Sequence, residues 1–244
     1  RDSPWGAVPG SNDTTAHLSC RQSYSILMTD GYWNSNAAST AGAAANVDGT
    51  NGPTILGPNG ASYTYNAISP FTDARNNTLA DVASYYWKND LRTGLDNKVP
   101  SSARNPAFWQ HMVTYGIGLG VNGNQDPATA LNSIDNPAAP AINWADPTAT
   151  NPAKIDDLLH AGVNSRGGFF SAANPTQFAD QLSAVLRDIV ARVAGSAASA
   201  TSSAPVLQSD TLLYNTAFRS GDWSSTVLAR RLDSACLLYT SPSP

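Results

Sequence analysis

The chain has 244 residues, of which 41% are hydrophobic and 13% are charged, and its formal net charge is -4 at pH 7. A protein that binds nucleic acid needs a basic face, so this acidic composition gives no reason to expect a nucleic-acid partner. The hydrophobic content allows a real core, and no apolar run is long enough to span a membrane.

The first predicted strand, from about Tyr24 to Thr29, ends abruptly in Thr29-Asp30-Gly31. Its apolar run is too short for a helix and suits a buried strand. Ligands of open α/β sheets lie just outside the carboxyl ends of the strands, so Asp30 is placed to hold a hard cation or its water. Asp-Gly is also a common turn pair, and the tripeptide by itself favours that simpler interpretation.

The segment 31–77 has almost no helical periodicity and is rich in Asn, Gly, Ala, Ser and Pro. Loops of this length are usually functional or disordered. Within it, the oxygen-bearing side chains of Asn46, Asp48 and Thr50 alternate along the chain among turn-forming glycines. Calcium loops use such alternation, so these three residues form a candidate calcium loop, and a plain Asn/Asp/Gly turn is the alternative.

Helical and strand-like patterns alternate from residue 77 to residue 193. The sequence predicts a helix over 78–92 with Asn77 as its N-cap, a strand along 113–119 and a polar loop over 122–150. The next helix is predicted to have Asn151 as its N-cap and Pro152 at its first position, with Ile155, Leu158 and Leu159 on its buried face. A strand over 167–171 and a helix over 174–193 follow, the helix with a capping box between Asn174 and Gln177. This alternation predicts an α/β fold with a parallel sheet and covering helices.

The three histidines, His17, His111 and His160, give no clear sign of catalysis. His111 has no second ligand at metal-binding spacing, and His160 lies on or near the buried face of its predicted helix. The chain has neither an H-E-x-x-H nor a G-x-S-x-G motif. We therefore expect His111 and His160 to be structural, and the protein to bind a partner rather than to catalyse a reaction.

The pattern changes after residue 193. Residues 194–205 form an Ala/Ser linker, and 213–218 with 225–232 predict a β-hairpin. A lone hairpin is not stable in water, so region 206–233 is expected to begin a β-rich domain. The tail 236–244 does not fit what precedes it and resembles a translated sequencing adapter.

The two cysteines, Cys20 and Cys236, are the right number for one disulfide in an oxidising compartment. If the tail is adapter sequence, however, Cys236 is not genuine. In that case we expect Cys20 to have no partner within this chain.

Several stretches resemble a von Willebrand factor A domain, above all 26–31 with its Thr-Asp-Gly, 113–120, 168–171 and the final helix 175–193. More specifically, the chain resembles the PilY-type proteins, which are assembly factors and tip-associated adhesins of type IV pili. The stretches that carry this second resemblance are 20–34, 46–53, 81–87, 108–112 and 220–224.

The resemblance implies an incomplete, Rossmann-like A-type domain over 1–193 and the start of a β-propeller over 206–233. It also implies a divalent cation, Mg²⁺ or Ca²⁺, for which Asp30 supplies one ligand. The Asp-x-Ser-x-Ser loop that completes such a site does not occur in the chain. A partner for Cys20 is then expected upstream of Arg1.

The function implied by the resemblance is type IV pilus biogenesis and cation-dependent adhesion at the pilus tip. Minor pilins and a host or abiotic surface are the implied partners. The implied location is extracellular, at the pilus tip or outer membrane of a Gram-negative bacterium. A secreted A-domain adhesin or matrix-binding protein unrelated to pili is the alternative.

Overall fold

The computed structural model describes residues 3–7, 17–33, 43–136, 138–172, 175–194, 200–202, 212–219, 224–232 and 239–242. The chain divides into two compact units, one of residues Gln22–Arg187 and one of Arg1–Arg21 with Asp188–Pro244. In chain order the strands and helices are β1 (Ser23–Thr29), β2 (Thr54–Leu56), β3 (Ser62–Thr64), α1 (Leu79–Lys88), β4 (Met112–Leu119), α2 (Pro127–Asn132), α3 (Asn151–Asn164), β5 (Gly168–Ala172), α4 (Pro175–Ala194), β6 (Ala200–Ser202), β7 (Leu212–Arg219), β8 (Ser224–Leu232) and β9 (Tyr239–Pro242).

The larger unit is built on a parallel sheet of three strands in the order β1-β4-β5. This confirms the predicted α/β fold with a parallel sheet, which is consistent with a Rossmann-like arrangement. Gly116 in the central strand allows a helix to pack closely, because a Cβ there would lie 2.8 Å from Leu158 Cγ and 2.9 Å from the Phe169 ring.

Helix α3 supplies much of the core beneath this sheet. The three residues predicted for its buried face, Ile155, Leu158 and Leu159, are at most 5% exposed. They belong to a cluster that also contains Val121, Ala130, Trp144, Val163 and Phe169. The helix begins one residue differently from the prediction, because Thr150 rather than Asn151 is the N-cap and accepts from the backbone N–H of Ala153.

Helix α1 is shorter than the predicted 78–92, and its N-cap is Thr78 rather than Asn77. Asp81 decides the position, since its carboxylate accepts from the backbone N–H of Thr78 while Thr78 Oγ1 accepts from that of Asp81. The first two backbone N–H groups of the helix, those of Leu79 and Ala80, donate to the carboxylate of Asp157 at 2.9 Å each. A side chain of α3 therefore completes the N-terminal cap of α1.

The described part of the long segment 31–77 is folded. It contains the short antiparallel pair β2–β3, in which Ile55 lies opposite Tyr63. A second core cluster forms around it from Ile55, Tyr65, Trp87, Ala107 and Trp109. The 43–77 part is thus anchored by aromatic packing as well as by hydrogen bonds.

In the smaller unit, β6, β7, β8 and β9 form an antiparallel sheet in that order. The pairing of β7 with β8 confirms the two predicted hairpin strands, while the turn at 220–223 lies outside the described residues. Strand β6 falls inside the predicted linker and β9 inside the tail that was predicted to be an adapter, so strand pairing extends into both. The β-propeller stays a prediction.

Cys20 takes part in a disulfide. The expectation that it has no partner within the chain, and that the partner lies upstream of Arg1, is therefore wrong. The other cysteine, Cys236, lies outside the described residues. Separately, no helix among the described residues is long and apolar enough to cross a membrane.

Candidate metal centre

Three segments of the larger unit bring Asp48, Asp73 and His160 together in its interior. Each of the three side chains offers one ligand atom, and these atoms lie within 4.8 Å of one another. Asp48 precedes β2, Asp73 lies between β3 and α1, and His160 lies on α3. They form the only group of three or more such side chains that could share one ion among the residues the structure describes. We call this group the Asp48 cluster.

His160 is held by a stacked ring on one face and by oxygen atoms near its two ring nitrogens. Its ring stacks on Trp144 at 4.1 Å between centroids and 13° between planes. Trp144 is itself fixed, since its Nε1–H donates to the carbonyl oxygen of Pro70 at 2.9 Å. The Nε2 atom of His160 lies 3.2 Å from the carbonyl oxygen of Phe71, and the side chain is 1% exposed. The imidazole therefore has one orientation and almost no contact with bulk water.

Asp48 is placed by the start of α1. Its backbone N–H donates to Asp81 Oδ1, the same carboxylate that caps that helix. Its own carboxylate accepts from the backbone N–H of Asp73 at 3.2 Å and from Asn164 Nδ2 at 2.9 Å. Burial raises the pKa of the Asp48 carboxyl to about 6, with His160 opposing the rise and Asp73 and Asp81 adding to it.

Asp73, the third member of the cluster, lies between β3 and α1. Its Oδ1 accepts from the backbone N–H of Arg75 at 2.7 Å, and its Oδ2 lies 3.6 Å from His160 Nδ1. The other ring nitrogen, Nε2, lies 3.6 Å from Asp48 Oδ2. Both separations are longer than a normal hydrogen bond. The cluster can thus act either as a histidine flanked by two carboxylates or as a set of metal ligands.

The candidate calcium loop is divided between two environments. Asn46 Oδ1 accepts from the backbone N–H of Gly49 at 2.6 Å. Thr50 offers its carbonyl oxygen and its hydroxyl to Lys88 Nζ, at 2.8 and 3.1 Å, and that ammonium group also donates to the carbonyl oxygen of Val47. Asp48 alone of the three predicted ligands joins the Asp48 cluster. A calcium role for the Asn46, Asp48 and Thr50 set stays a prediction.

Lys88, which donates hydrogen bonds to this loop, is itself affected by burial. The pKa of Lys88 is lowered by desolvation, while the carboxylates of Asp48 and Asp81 oppose the shift. Its ammonium group also lies 5.2 Å from the centroid of the Tyr65 ring. The loop oxygens of Val47 and Thr50 are therefore bonded to a cation that belongs to the chain.

Asp30 lies apart from the Asp48 cluster, exposed at the carboxyl end of β1. Next to it, the hydroxyl of Thr29 donates to the carbonyl oxygen of Gly31 at 2.8 Å, as in a compact turn. Among the described residues, Asp30 is not part of any group of three ligand-bearing side chains. One carboxylate does not make a Mg²⁺ or Ca²⁺ site, so the described residues around Asp30 do not fit the ion by themselves.

A groove opens beside the same strand end. It has a volume of about 400 Å³ and its lining includes Leu27, Met28, Thr29, Trp33, Lys154 and Leu158. Three large apolar side chains are exposed along this part of the chain, with exposed fractions of 36% for Ile26, 58% for Met28 and 40% for Tyr32. The carboxyl end of β1 therefore presents an apolar surface next to an exposed carboxylate.

Three curated relatives place the chain in a family. They are each named "Type IV pilus biogenesis factor PilY1" and come from Pseudomonas aeruginosa strains PAK, PAO1 and UCBPP-PA14. Their identities to this chain are 38% over 213 residues, 35% over 213 residues and 34% over 227 residues, each covering 79% of the chain. This chain belongs to the PilY-type family of type IV pilus biogenesis factors.

Family membership confirms the resemblance to the PilY-type proteins. The matches cover 17%, 17% and 18% of the relatives, so the chain spans about a sixth of their length. No family model matches the chain, and no solved structure matches it either. The A-type and propeller assignments are therefore not tested by these comparisons.

Sequence reasoning found Asp48 but missed Asp73 and His160. The two missed residues have no ligand-like spacing to Asp48, because they lie on different elements far along the chain. The sequence predicts a structural role for His160 because this residue lies on or near the buried face of its helix. A pairing signal between distant positions, such as covariation, is the kind of evidence that would have connected them.

Proposed function

We propose that this chain is a contact-making part of a type IV pilus biogenesis factor, and that it binds another pilus component through the groove at the carboxyl end of β1. The observation that carries the proposal is the match of 79% of the chain to three proteins named as pilus biogenesis factors. The partners that we propose first are minor pilins. Binding, not catalysis, is the proposed activity.

The groove has the composition of a protein–protein contact. Such contacts have an apolar centre with a polar rim. Here Leu27, Met28 and Trp33 supply apolar surface, while Lys154 and the nearby Asp30 supply charge at the edge. Lys154 Nζ also lies 5.5 Å from the centroid of the Trp33 ring, so the charged and aromatic groups are already packed together.

A finer proposal is that the protein also adheres to a host or abiotic surface and that a divalent cation takes part. Asp30 would supply one ligand of that ion, and the remaining ligands would come from outside the described residues. The exposure of Asp30 at a strand end supports this role, since a ligand shared with a partner has to be accessible. The proposed site of action is the cell surface, at the pilus tip or outer membrane of a Gram-negative bacterium.

The family match favours this pilus role over the alternative of an A-domain adhesin unrelated to pili. All three relatives carry a pilus biogenesis name. A secreted matrix-binding protein would not be expected to share this much of its sequence with them. The experiment therefore tests the pilus role.

The test compares two lysine substitutions at equally exposed apolar residues. Met28, with 58% exposed, lines the groove, and Ile68, with 60% exposed, lies in the loop after β3 and outside the groove lining. Met28→Lys and Ile68→Lys are introduced into the full-length protein and expressed in a strain that lacks it. Surface pili are counted, and minor pilins that co-purify with the protein are measured.

We expect Met28→Lys to reduce both pilus number and co-purified minor pilins by about tenfold or more, because a buried charge in an interface is strongly unfavourable. Ile68→Lys should leave both near the wild-type level. Equal effects of the two variants, or no effect of either, would contradict the proposal. Loss of pili with normal pilin binding would retain the biogenesis role and exclude the groove as the pilin contact.

A further inference from the structure

We propose that Asp48, Asp73 and His160 bind a transition-metal ion of the Zn²⁺ class, and that this ion fastens the 43–77 segment to α3. The proposal concerns the interior of the larger unit and does not depend on the pilus contact. It also differs from the expected Mg²⁺ or Ca²⁺ ion at Asp30 in its location, its ligands and its role.

The donor set decides the class of metal. Mg²⁺ and Ca²⁺ are bound almost entirely by oxygen atoms. An imidazole nitrogen combined with two carboxylates suits Zn²⁺ and its neighbours among the first-row transition metals. The Asp48 cluster offers this combination, one ligand atom from each of its three side chains.

The distances within the cluster fit ligands that share an ion. Asp73 Oδ2 lies 3.6 Å from His160 Nδ1, which is too long for a hydrogen bond. One ligand atom from each of the three side chains lies within 4.8 Å of the other two. The 3.6 Å separation of Asp48 Oδ2 is to the other ring nitrogen, Nε2. Two ligands bonded tetrahedrally to one Zn²⁺ at about 2.0–2.1 Å lie roughly 3.3–3.4 Å from each other. An ion on Nδ1 would therefore need a small movement of the Asp73 carboxylate and a rotation of the Asp48 carboxylate away from Nε2.

The ring nitrogens of His160 have different roles in this arrangement. Nε2 lies 3.2 Å from the carbonyl oxygen of Phe71, and an Nε2–H that donates there leaves the lone pair on Nδ1 free for a metal. Nδ1 is the nitrogen that faces Asp73 Oδ2. Metal-binding histidines commonly use this pattern, with the second ring nitrogen donating to a carbonyl or carboxylate oxygen.

Asn164 gives a second, independent observation. Its side chain is 1% exposed, and its Nδ2 donates to Asp48 Oδ2 at 2.9 Å and to the carbonyl oxygen of Ala80 at 3.2 Å. Its Oδ1 is buried and has no hydrogen-bond partner. A buried acceptor without a donor is unfavourable, and a water bound to an ion in the cluster would supply that donor.

Charge and burial support the same conclusion. Asp48 is fully buried, and the side chain of Asp73 is 6% exposed, so two carboxylates lie side by side away from water. A divalent cation would offset their repulsion and their lost hydration. Trp144 covers the imidazole, and the site has the closed character of a structural rather than a catalytic metal site.

The test uses cobalt as a spectroscopic probe of the intact 244-residue chain. The protein is treated with a chelator, dialysed, and titrated with Co²⁺, which gives strong visible absorption when four-coordinate. We expect uptake of one equivalent, displacement by Zn²⁺, no competition by Ca²⁺ at the same concentration, and a higher melting temperature with Zn²⁺. Absence of Co²⁺ and Zn²⁺ uptake, or displacement by Ca²⁺, would overturn the proposal.

The position of the ion is tested by comparing the Co²⁺ affinity of Asp73→Asn with that of a control variant, Asp90→Asn. Both aspartates accept from the backbone N–H two residues on, that of Arg75 at 2.7 Å and that of Arg92 at 2.9 Å, and asparagine preserves this turn. Asp73→Asn should weaken Co²⁺ binding by about 100-fold or more, while Asp90→Asn should bind like the wild type. Equal affinities of the two folded variants, checked by circular dichroism, would also overturn the proposal.

Discussion

Asp30 and Asp48 are carboxylates of the same protein unit in opposite surroundings. Asp30 stands exposed at the end of β1, beside an apolar groove and a compact turn. Asp48 is fully buried, accepts hydrogen bonds from Asp73 and Asn164, and lies 3.6 Å from His160. The exposed carboxylate is available to a partner, whereas the buried one is committed to neighbours within the chain.

This difference shows why a ligand-like motif and a ligand-like geometry need not coincide. The Thr-Asp-Gly motif is local, so it can be recognised in the sequence while its remaining ligands are absent from the described residues. The Asp48 cluster has no local motif, but its side chains converge because side chains of α3 contact the folded 43–77 segment at Phe71 and Asp48. The following predictions test the contrast, starting with the largest expected effect.

Removing the buried carboxylate should destabilise the larger unit most. Asp48→Ala leaves the backbone N–H of Asp73 without its carboxylate acceptor in a buried site, and it removes one of the two acceptors of the Asn164 side-chain amide. We expect the free energy of unfolding to fall by about 2–4 kcal/mol. Denaturant unfolding followed by tryptophan fluorescence measures this change. A loss under about 1 kcal/mol would mean that the cluster does not hold the segment in place.

The next effect concerns a buried carboxylate that caps a helix. Asp157 accepts from the backbone N–H groups of Leu79 and Ala80, and asparagine keeps only one of its two acceptor oxygens. Asp157→Asn should therefore lower the free energy of unfolding at pH 7 by about 1–2 kcal/mol. The same denaturation experiment measures it, and an unchanged midpoint would show that the cap between the helices contributes nothing.

The pH dependence of the free energy of unfolding gives a second test of Asp157. Burial raises the pKa of Asp157 from 3.8 to about 6, so the folded state holds more protons than the unfolded state between these values. The part of the free energy of unfolding that comes from this extra proton is present below pH 4 and is lost as the pH rises through 6, whereas the hydrogen bonds from Leu79 and Ala80 remain at pH 7. Asp157→Asn should reduce the fall of stability over this range, and an unchanged slope would contradict the assignment.

An exposed cap gives the opposite sign and serves as the control. Asp126 caps α2, and its hydrogen bonds from the hydroxyl and backbone N–H of Thr129 lower its pKa. Its contribution is present at neutral pH and is lost as the pH falls through the lowered pKa. Asp126→Asn should therefore reduce the loss of stability in acid and leave the pH 4–6 behaviour of Asp157 in place.

The smallest effect on stability is expected at the strand end. Asp30 is exposed, so Asp30→Ala should change the free energy of unfolding by less than about 0.5 kcal/mol. In the full-length protein the same variant should weaken cation-dependent binding to a surface, measured with and without a chelator. Unchanged cation dependence would count against Asp30 as a ligand.

The elements with strong local signals could be predicted from the sequence. The strand β1, the buried face of α3 and the strands β7 and β8 depend on residues close together in the chain. The predicted burial of β1 is wrong, because Ile26 is 36% exposed and Met28 is 58% exposed. The cap of α1 was placed one residue early because Asn77 and Thr78 are both good caps. Asp81 settles the choice through its reciprocal hydrogen bonds with Thr78.

Local sequence patterns do not predict the Asp48 cluster. His160 lies near Asp73 because of the way α3 packs. The orientation of the His160 ring depends on its stack with Trp144. The contribution of Asp157 to the cap of another helix is equally non-local. Periodicity and short motifs report on neighbours in sequence, so they identify helices and strands better than the side chains that meet between them.

Anomalous X-ray diffraction at the zinc edge, from crystals of the 244-residue chain grown with Zn²⁺, tests the contrast between Asp30 and Asp48 most directly. The account predicts one strong peak within bonding distance of His160 Nδ1 and the carboxylates of Asp48 and Asp73, and none at Asp30. A peak at Asp30, or none at His160 in protein saturated with Zn²⁺, would contradict it.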